Sequence, residues 1–259
     1  MEFTVILACL LLQRVFHFDH LGRQFDWFAI YYQKLQRFDQ ILPGWGGFAG
    51  ILLIILPLVA LFSVLSVLVY HWFGELVYYL LNLVVIWYCL DGRLLQLSDV
   101  KSMTPRQLLA ISYVRIFAII FWYIILGVVG VVVYICIVNL RSVLEHKNQV
   151  NASEEHLLSA ITKVEGVFDW LPLRLMGITY ALVGQFGASF QLWCKQFFTG
   201  FEHTREQAAE CGLVASGLTH AVSEPLTEET VRQIESLISR SLSVWLVVVA
   251  LYVIGTWMG

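Results

Sequence analysis

From Phe48 to Tyr70 the chain reads FAGILLIILPLVALFSVLSVLVY, with no charged side chain and a single proline. Such a run suits hydrocarbon better than water, because about 20 apolar residues at 1.5 Å rise span a bilayer core of about 30 Å. Pro57 is tolerable there, since neighbouring helices can satisfy the backbone group it frees. Leu76 to Leu90 follows after a short connection and predicts the returning arm of a helical hairpin over 48–90. Ile116 to Val138 predicts a central span, and Leu242 to Met258 a C-terminal one over 242–258. The chain as a whole is 59% hydrophobic with a mean hydropathy of +0.74, far above a soluble domain. The expected fold class is therefore all-α: a polytopic integral membrane helical bundle, with four to six membrane helices and amphipathic interfacial helices, forming one domain over 1–259.

Two segments leave alternatives open. Phe3 to Phe18, within an N-terminal apolar segment 1–47, fits either a short span or an interfacial helix. Its acidic second residue and missing small-residue cleavage site predict that it stays on the mature chain. Leu171 to Trp193 has the length of a span but carries Arg174, Gln185 and Gln191. Positive charge decides for crossing. If 171–193 crosses, the segments 19–47, 91–115 and 195–241 hold most of the lysines and arginines and are expected to be cytoplasmic, with Arg141, Lys147 and Lys163 on the other side.

The polar connections read as helical. In NASEEHLLSAITKVEGVF, Ser153 can cap a helix over 152–168 whose Leu157, Ile161, Val164 and Phe168 share a stripe, leaving Lys163 and Glu165 off it. Thr227 can cap TEETVRQIESLISR, with Glu228 and Glu229 at the positive end of the helix and Val231, Ile234 and Ile238 apolar.

A net charge of -3 leaves no basic face on which a nucleic acid could release counterions, so nucleic acid is excluded as a partner. Cys9, Cys89, Cys136 and Cys194 lie in or beside apolar runs without zinc spacing and read as small buried hydrophobes. No catalytic motif is present, and no cofactor or metal is expected.

VFDWLPLRL, residues 167–175, joins an acid, a Trp-Pro pair and an arginine at the start of an apolar stretch. Asp169 reads as the N-cap of a helix from Leu171, with Pro172 in its first turn and Trp170 at headgroup level. Arg174 then has two readings: an anchor paired with Asp169, or a site for a small anionic ligand facing the free N–H groups of the helix start. A second polar cluster comprises His17, Asp19, His20, Arg23 and Asp26. Its two histidines and Asp19 do not share a helix face, so a solvated interfacial segment with pairing at helical spacing fits better than a metal site. Gly127 and Gly130 form a small-residue face suited to close helix contact, which permits a homodimer. The bilayer itself is the expected lipid partner, and a membrane protein is the alternative to a small ligand.

Three stretches resemble one known family. FTVILACLLLQRVFHFDHLGRQFDWFAIYY, VRIFAIIFWYIILGVVGVVVY, and FDWLPLRLMGITYALVGQFGASFQLW with its W-x-P-x-R-L core at Trp170, Pro172, Arg174 and Leu175 are similar to the AmpE proteins. The resemblance implies a multi-pass protein of the bacterial inner membrane that modulates β-lactamase induction without catalysing a reaction. That family is itself similar to adenosylcobinamide-phosphate synthase, which implies an alternative: a membrane transferase or ligase with Arg174 holding a phosphate. The scarcity of ionisable groups within the apolar runs favours the modulator.

Overall fold

The computed structural model describes residues 2–15, 26–36, 47–90, 104–147, 151–197, 200, 204–218 and 227–258. The elements are α1 (Glu2–Val15), α2 (Asp26–Leu35), α3 (Phe48–Cys89), α4 (Pro105–Ser112), α5 (Ala118–Glu145), α6 (Ala152–Val183), α7 (Phe186–Gln196), α8 (Thr204–Ser216) and α9 (Glu228–Met258). A π-helical turn, Tyr113–Phe117, joins α4 to α5. No strand occurs among the described residues. Three described helices are long and apolar enough to cross a membrane: Phe48–Cys89, Pro105–Glu145 and Glu228–Gly255.

Two of these are too long for one crossing, since 42 residues of straight helix would extend about 63 Å. Both break at a glycine in the left-handed region. In α3 the break is Gly74, at φ 77°. The rings of Tyr70 and Tyr78 meet across it at 5.7 Å. Leu58, Phe62 and Leu65 before the break and Val85, Tyr88 and Cys89 after it line one apolar cavity of about 250 Å³, so the chain folds back on itself there.

The run expected as one central span is also bent. Gly127, at φ 65°, interrupts α5, and a Cβ on Gly130 would lie 2.7 Å from the carbonyl oxygen of Trp122. In a straight helix those residues stand about 12 Å apart along the axis. Of the two glycines expected to form one small face, Gly127 makes the turn and Gly130 lets the arms meet.

The 171–193 segment is not one helix. α6 begins at Ala152, with Asn151 rather than Ser153 as N-cap, and runs through Trp170 and Pro172 to Val183. Asp169 is therefore an interior residue and caps nothing. The helix stops where Gly184 packs against Ala215, and the Gln185 N–H donates to the Ala215 carbonyl at 3.0 Å. α7 then packs along both α6 and α8.

α9 forms as expected: Thr227 Oγ1 accepts from the Thr230 N–H at 3.2 Å, and Val231, Ile234 and Ile238 are buried. α1 presses Val5, Ile6 and Cys9 into the bundle. Cys194 is exposed, contrary to the sequence reading, because it lies on the outer side of the short α7. The apolar surface left outward runs along α3, over Ile125 and Leu126 at the Gly127 turn, and along Val247, Val248, Leu251 and Ile254 of α9.

Candidate functional site

The two most buried carboxylates among the described residues lie one turn apart on α6. Glu165 and Asp169 are both fully buried. Carboxylates at i and i+4 repel each other on a helix, so a buried pair must be neutralised from outside it. Arg141 of α5 donates from Nη1 to Glu165 at 2.7 Å, and Arg205 of α8 donates to the other oxygen. Arg141 also holds Glu145 at 2.6 Å.

Asp169 is held by hydroxyls. Tyr134 Oη donates to Oδ1 at 2.9 Å, and Tyr113 Oη lies 3.1 Å from both Oδ1 and the Asp169 carbonyl. Oδ2 is buried without a hydrogen-bond partner. Tyr113 and Tyr134 sit on opposite sides of the Gly127 turn. Straight, the helix would hold them about 32 Å apart; folded back, it delivers both to one carboxylate. The π-helical turn carries Tyr113 to that position, a local irregularity of the kind that recurs at functional sites.

Burial first, and then the neighbouring Glu165 charge, raise the Asp169 carboxyl above the usual carboxylate range, against the opposing pull of Tyr134, Arg205 and Tyr113. A raised acid favours the fold while protonated. Its contribution is present below the unfolded pKa of about 3.9 and declines as pH rises from there toward the raised folded value. The thermal midpoint in detergent micelles is expected to fall between pH 5 and pH 8, and Asp169→Asn to flatten that fall. An unchanged slope in the variant would place the titration elsewhere.

Arg174 faces another way. It is 4% exposed, and its guanidinium lies over the rings of Trp170 and Phe197, at 5.6 Å and 5.5 Å from their centroids. Its backbone carbonyl accepts from Trp193 Nε1 at 2.9 Å. The structure thus unites Arg174 with Trp170 but turns Asp169 toward the tyrosines. The free N–H groups expected beside Arg174 are absent because α6 started more than five turns earlier. Of the second predicted cluster, His17, Asp19, His20 and Arg23 lie outside the described residues, and Asp26 is the first residue of α2. Among the described residues no group of three metal-ligating side chains assembles.

A third buried carboxylate, Glu154, ties α2 to the start of α6. It receives Lys147 Nζ at 2.5 Å, the Asn151 N–H through its other oxygen at 3.1 Å, and Tyr32 Oη at 3.4 Å, with Gln36 also donating. These partners come from the connection before α6, from α2 and from the residue that follows α2, so Glu154 serves as a clamp.

Arg141 and Arg205, which charge counting puts on opposite sides of the bilayer, share Glu165 and so lie at one depth. The expectation that Arg205 lies across the membrane from Arg141 is corrected accordingly. Arg106 at the foot of α4 also reaches α8, 3.5 Å from Glu210. One foot of the Gly127 hairpin therefore meets α8 directly, and the other meets it through Glu165 of α6.

An all-helical bundle with long apolar helices and a buried, arginine-neutralised carboxylate layer is a membrane protein with a polar centre. More narrowly, the chain belongs to the AmpE family: the model for the regulatory signalling modulator protein AmpE matches residues 95–258. A stretch of 129 residues is 26% identical to the cobalamin biosynthesis protein CobD of Chromobacterium violaceum, covering 50% of this chain and 40% of that one. Another of 81 residues is 31% identical to the protein of the same name in Stutzerimonas stutzeri, over 31% of this chain and 26% of that one. The chain thus spans well under half the length of the curated relatives it matches. No solved structure matches it.

The residues that sequence reasoning missed are Glu165, Arg141, Arg205, Tyr113 and Tyr134. One signal for them was present: two acids at i and i+4 on a helix otherwise read as amphipathic.

Proposed function

We propose that this chain is an inner-membrane modulator of the AmpE type, in which the Glu165–Asp169 layer couples a small anionic ligand or a membrane-protein partner to β-lactamase induction. The observation that carries this reading is the sharing of one buried carboxylate by Arg141 and Arg205, which belong to the hairpin and to α8. An anion reaching the partly exposed edges of those guanidinia, 22% and 28% accessible, competes with Glu165 and shifts the hairpin against α8. Our reading assigns the anion to Arg141 and Arg205 in preference to Arg174, whose guanidinium lies over the rings of Trp170 and Phe197.

The test is made in a host with an inducible chromosomal β-lactamase. Deleting the gene is expected to change the β-lactamase activity reached after β-lactam addition. The wild-type gene should restore it, while Arg205→Ala, present in the membrane at equal abundance, should not. Equal induction with and without the gene would sink the reading. A second reading, a membrane transferase or ligase related to adenosylcobinamide-phosphate synthase and acting on an unidentified phosphate-bearing substrate, is supported by the likeness to the two cobalamin biosynthesis proteins. A phosphate-bearing small molecule retained by the purified protein and turned over by it would favour this reading.

A further inference from the structure

Between the first arm of the Gly127 hairpin, α6 and α9 lies a cavity of about 580 Å³. Its walls include Phe121 and Ile125 of the hairpin, Ile178 and Leu182 of α6, and Trp245 and Val248 of α9. Each helix runs from the polar end of the bundle toward its apolar end, so the cavity follows their common axis for about 10 Å, the rise from Leu175 to Leu182.

Two lining side chains carry a polar atom, and these satisfy each other. Trp245 Nε1 donates to Thr179 Oγ1 at 3.1 Å, and Thr179 Oγ1 donates to the Leu175 carbonyl at 2.7 Å. Water needs two to four polar partners to occupy a cavity, and these two side chains leave it only the second lone pair of Thr179 Oγ1. A polar ligand meets the same obstacle. The rim residues Ile125, Leu182 and Val248 are 52%, 62% and 59% exposed, and they continue into the outward apolar surface of α9 at Leu251 and Ile254. The opening therefore faces the hydrocarbon in which α9 lies. A partner helix, about 10–12 Å across with its side chains, is too wide to enter. A single flexible hydrocarbon chain is not.

We propose that this cavity binds one acyl chain of a membrane phospholipid, lodged between the hairpin arm, α6 and α9. The chain completes the packing of Trp245, whose ring also meets Phe117 at 5.6 Å and Phe121 at 6.4 Å. The site is separate from the Glu165–Asp169 layer and does not depend on the modulator reading.

The test is native mass spectrometry of the full chain extracted from membranes in mild detergent. The wild type is expected to retain one phospholipid per chain. Ile178→Trp and Val248→Trp, which narrow the cavity from two walls, should each lower the retained fraction at least threefold. Should either variant fail to fold, the wild type is compared with Trp245→Phe in bilayers of phosphatidylcholine brominated at mid-chain. The emission lost in Trp245→Phe should then be quenched at least twofold by the bromines. The proposal is overturned if no phospholipid is retained, if both narrowed variants retain it equally, if the adduct has the mass of a polyprenyl chain, or if Trp245 emission is unquenched.

Discussion

Glu165→Ala is expected to lower the unfolding free energy by about 3–5 kcal/mol, the cost of stranding charges whose buried partner has been removed. Glu165 is fully buried, and it neutralises two guanidinia that are themselves mostly enclosed. Without it, Arg141 and Arg205 face each other across the vacated space, and the hairpin and α8 lose the charge that joins them. Partial exposure lets both arginines recruit some water, which puts the effect toward the lower end of the range. Glu165→Gln keeps the volume and one acceptor and should cost less. Glu145→Ala removes only an exposed pairing with Arg141 and should change stability by about 0.5 kcal/mol or less. Denaturant titration in mixed micelles, followed by far-UV circular dichroism, measures all three. A loss for Glu165→Ala no larger than that for Glu145→Ala would mean the carboxylate is not the junction described.

The reason this centre is hard to read from sequence is distance along the chain. Hydrophobic periodicity reports what a helix does with its own faces, and it found the stripe of Leu157 and Ile161 correctly. The partners of Glu165 lie 24 and 40 residues away, and those of Asp169 lie 35 and 56 residues away. Local pattern holds no record of such pairings. The Trp170-Pro172-Arg174 stretch misled for the opposite reason, since its local signals are strong. Asp, Pro and an apolar run make a good helix start. Here a helix nucleated at Asn151 by a capping box with Glu154 was already under way, and one missing N–H was tolerated. The all-helical membrane class was legible because it rests on composition and run length, which tertiary structure cannot undo. The bend at Gly127 was not, because a glycine in an apolar run reads equally well as a turn or as a contact face.

That bend gives the second large effect: Gly130→Ala is expected to destabilise the protein by about 1–3 kcal/mol, the cost of overpacking a closed contact. The added methyl would lie 2.5 Å from Leu126 Cβ and 2.7 Å from the Trp122 carbonyl oxygen. Leu126 can shift its side chain little, since the contact is at Cβ, and the carbonyl is fixed by its own helix. The arms of the hairpin must therefore spread. Gly187→Ala is the contrasting case: nothing lies within 4 Å of its new methyl, and it should be neutral or stabilising by up to about 1 kcal/mol. Spreading the arms also pulls Tyr113 and Tyr134 apart, which loosens their hold on Asp169. Gly130→Ala should therefore alter the pH dependence of the thermal midpoint as well as its value, whereas a variant that merely loosens packing elsewhere would change the value alone. If Gly130→Ala melted like the wild type at every pH, the close approach of the two arms, and with it the route by which both tyrosines reach one carboxylate, would be wrong.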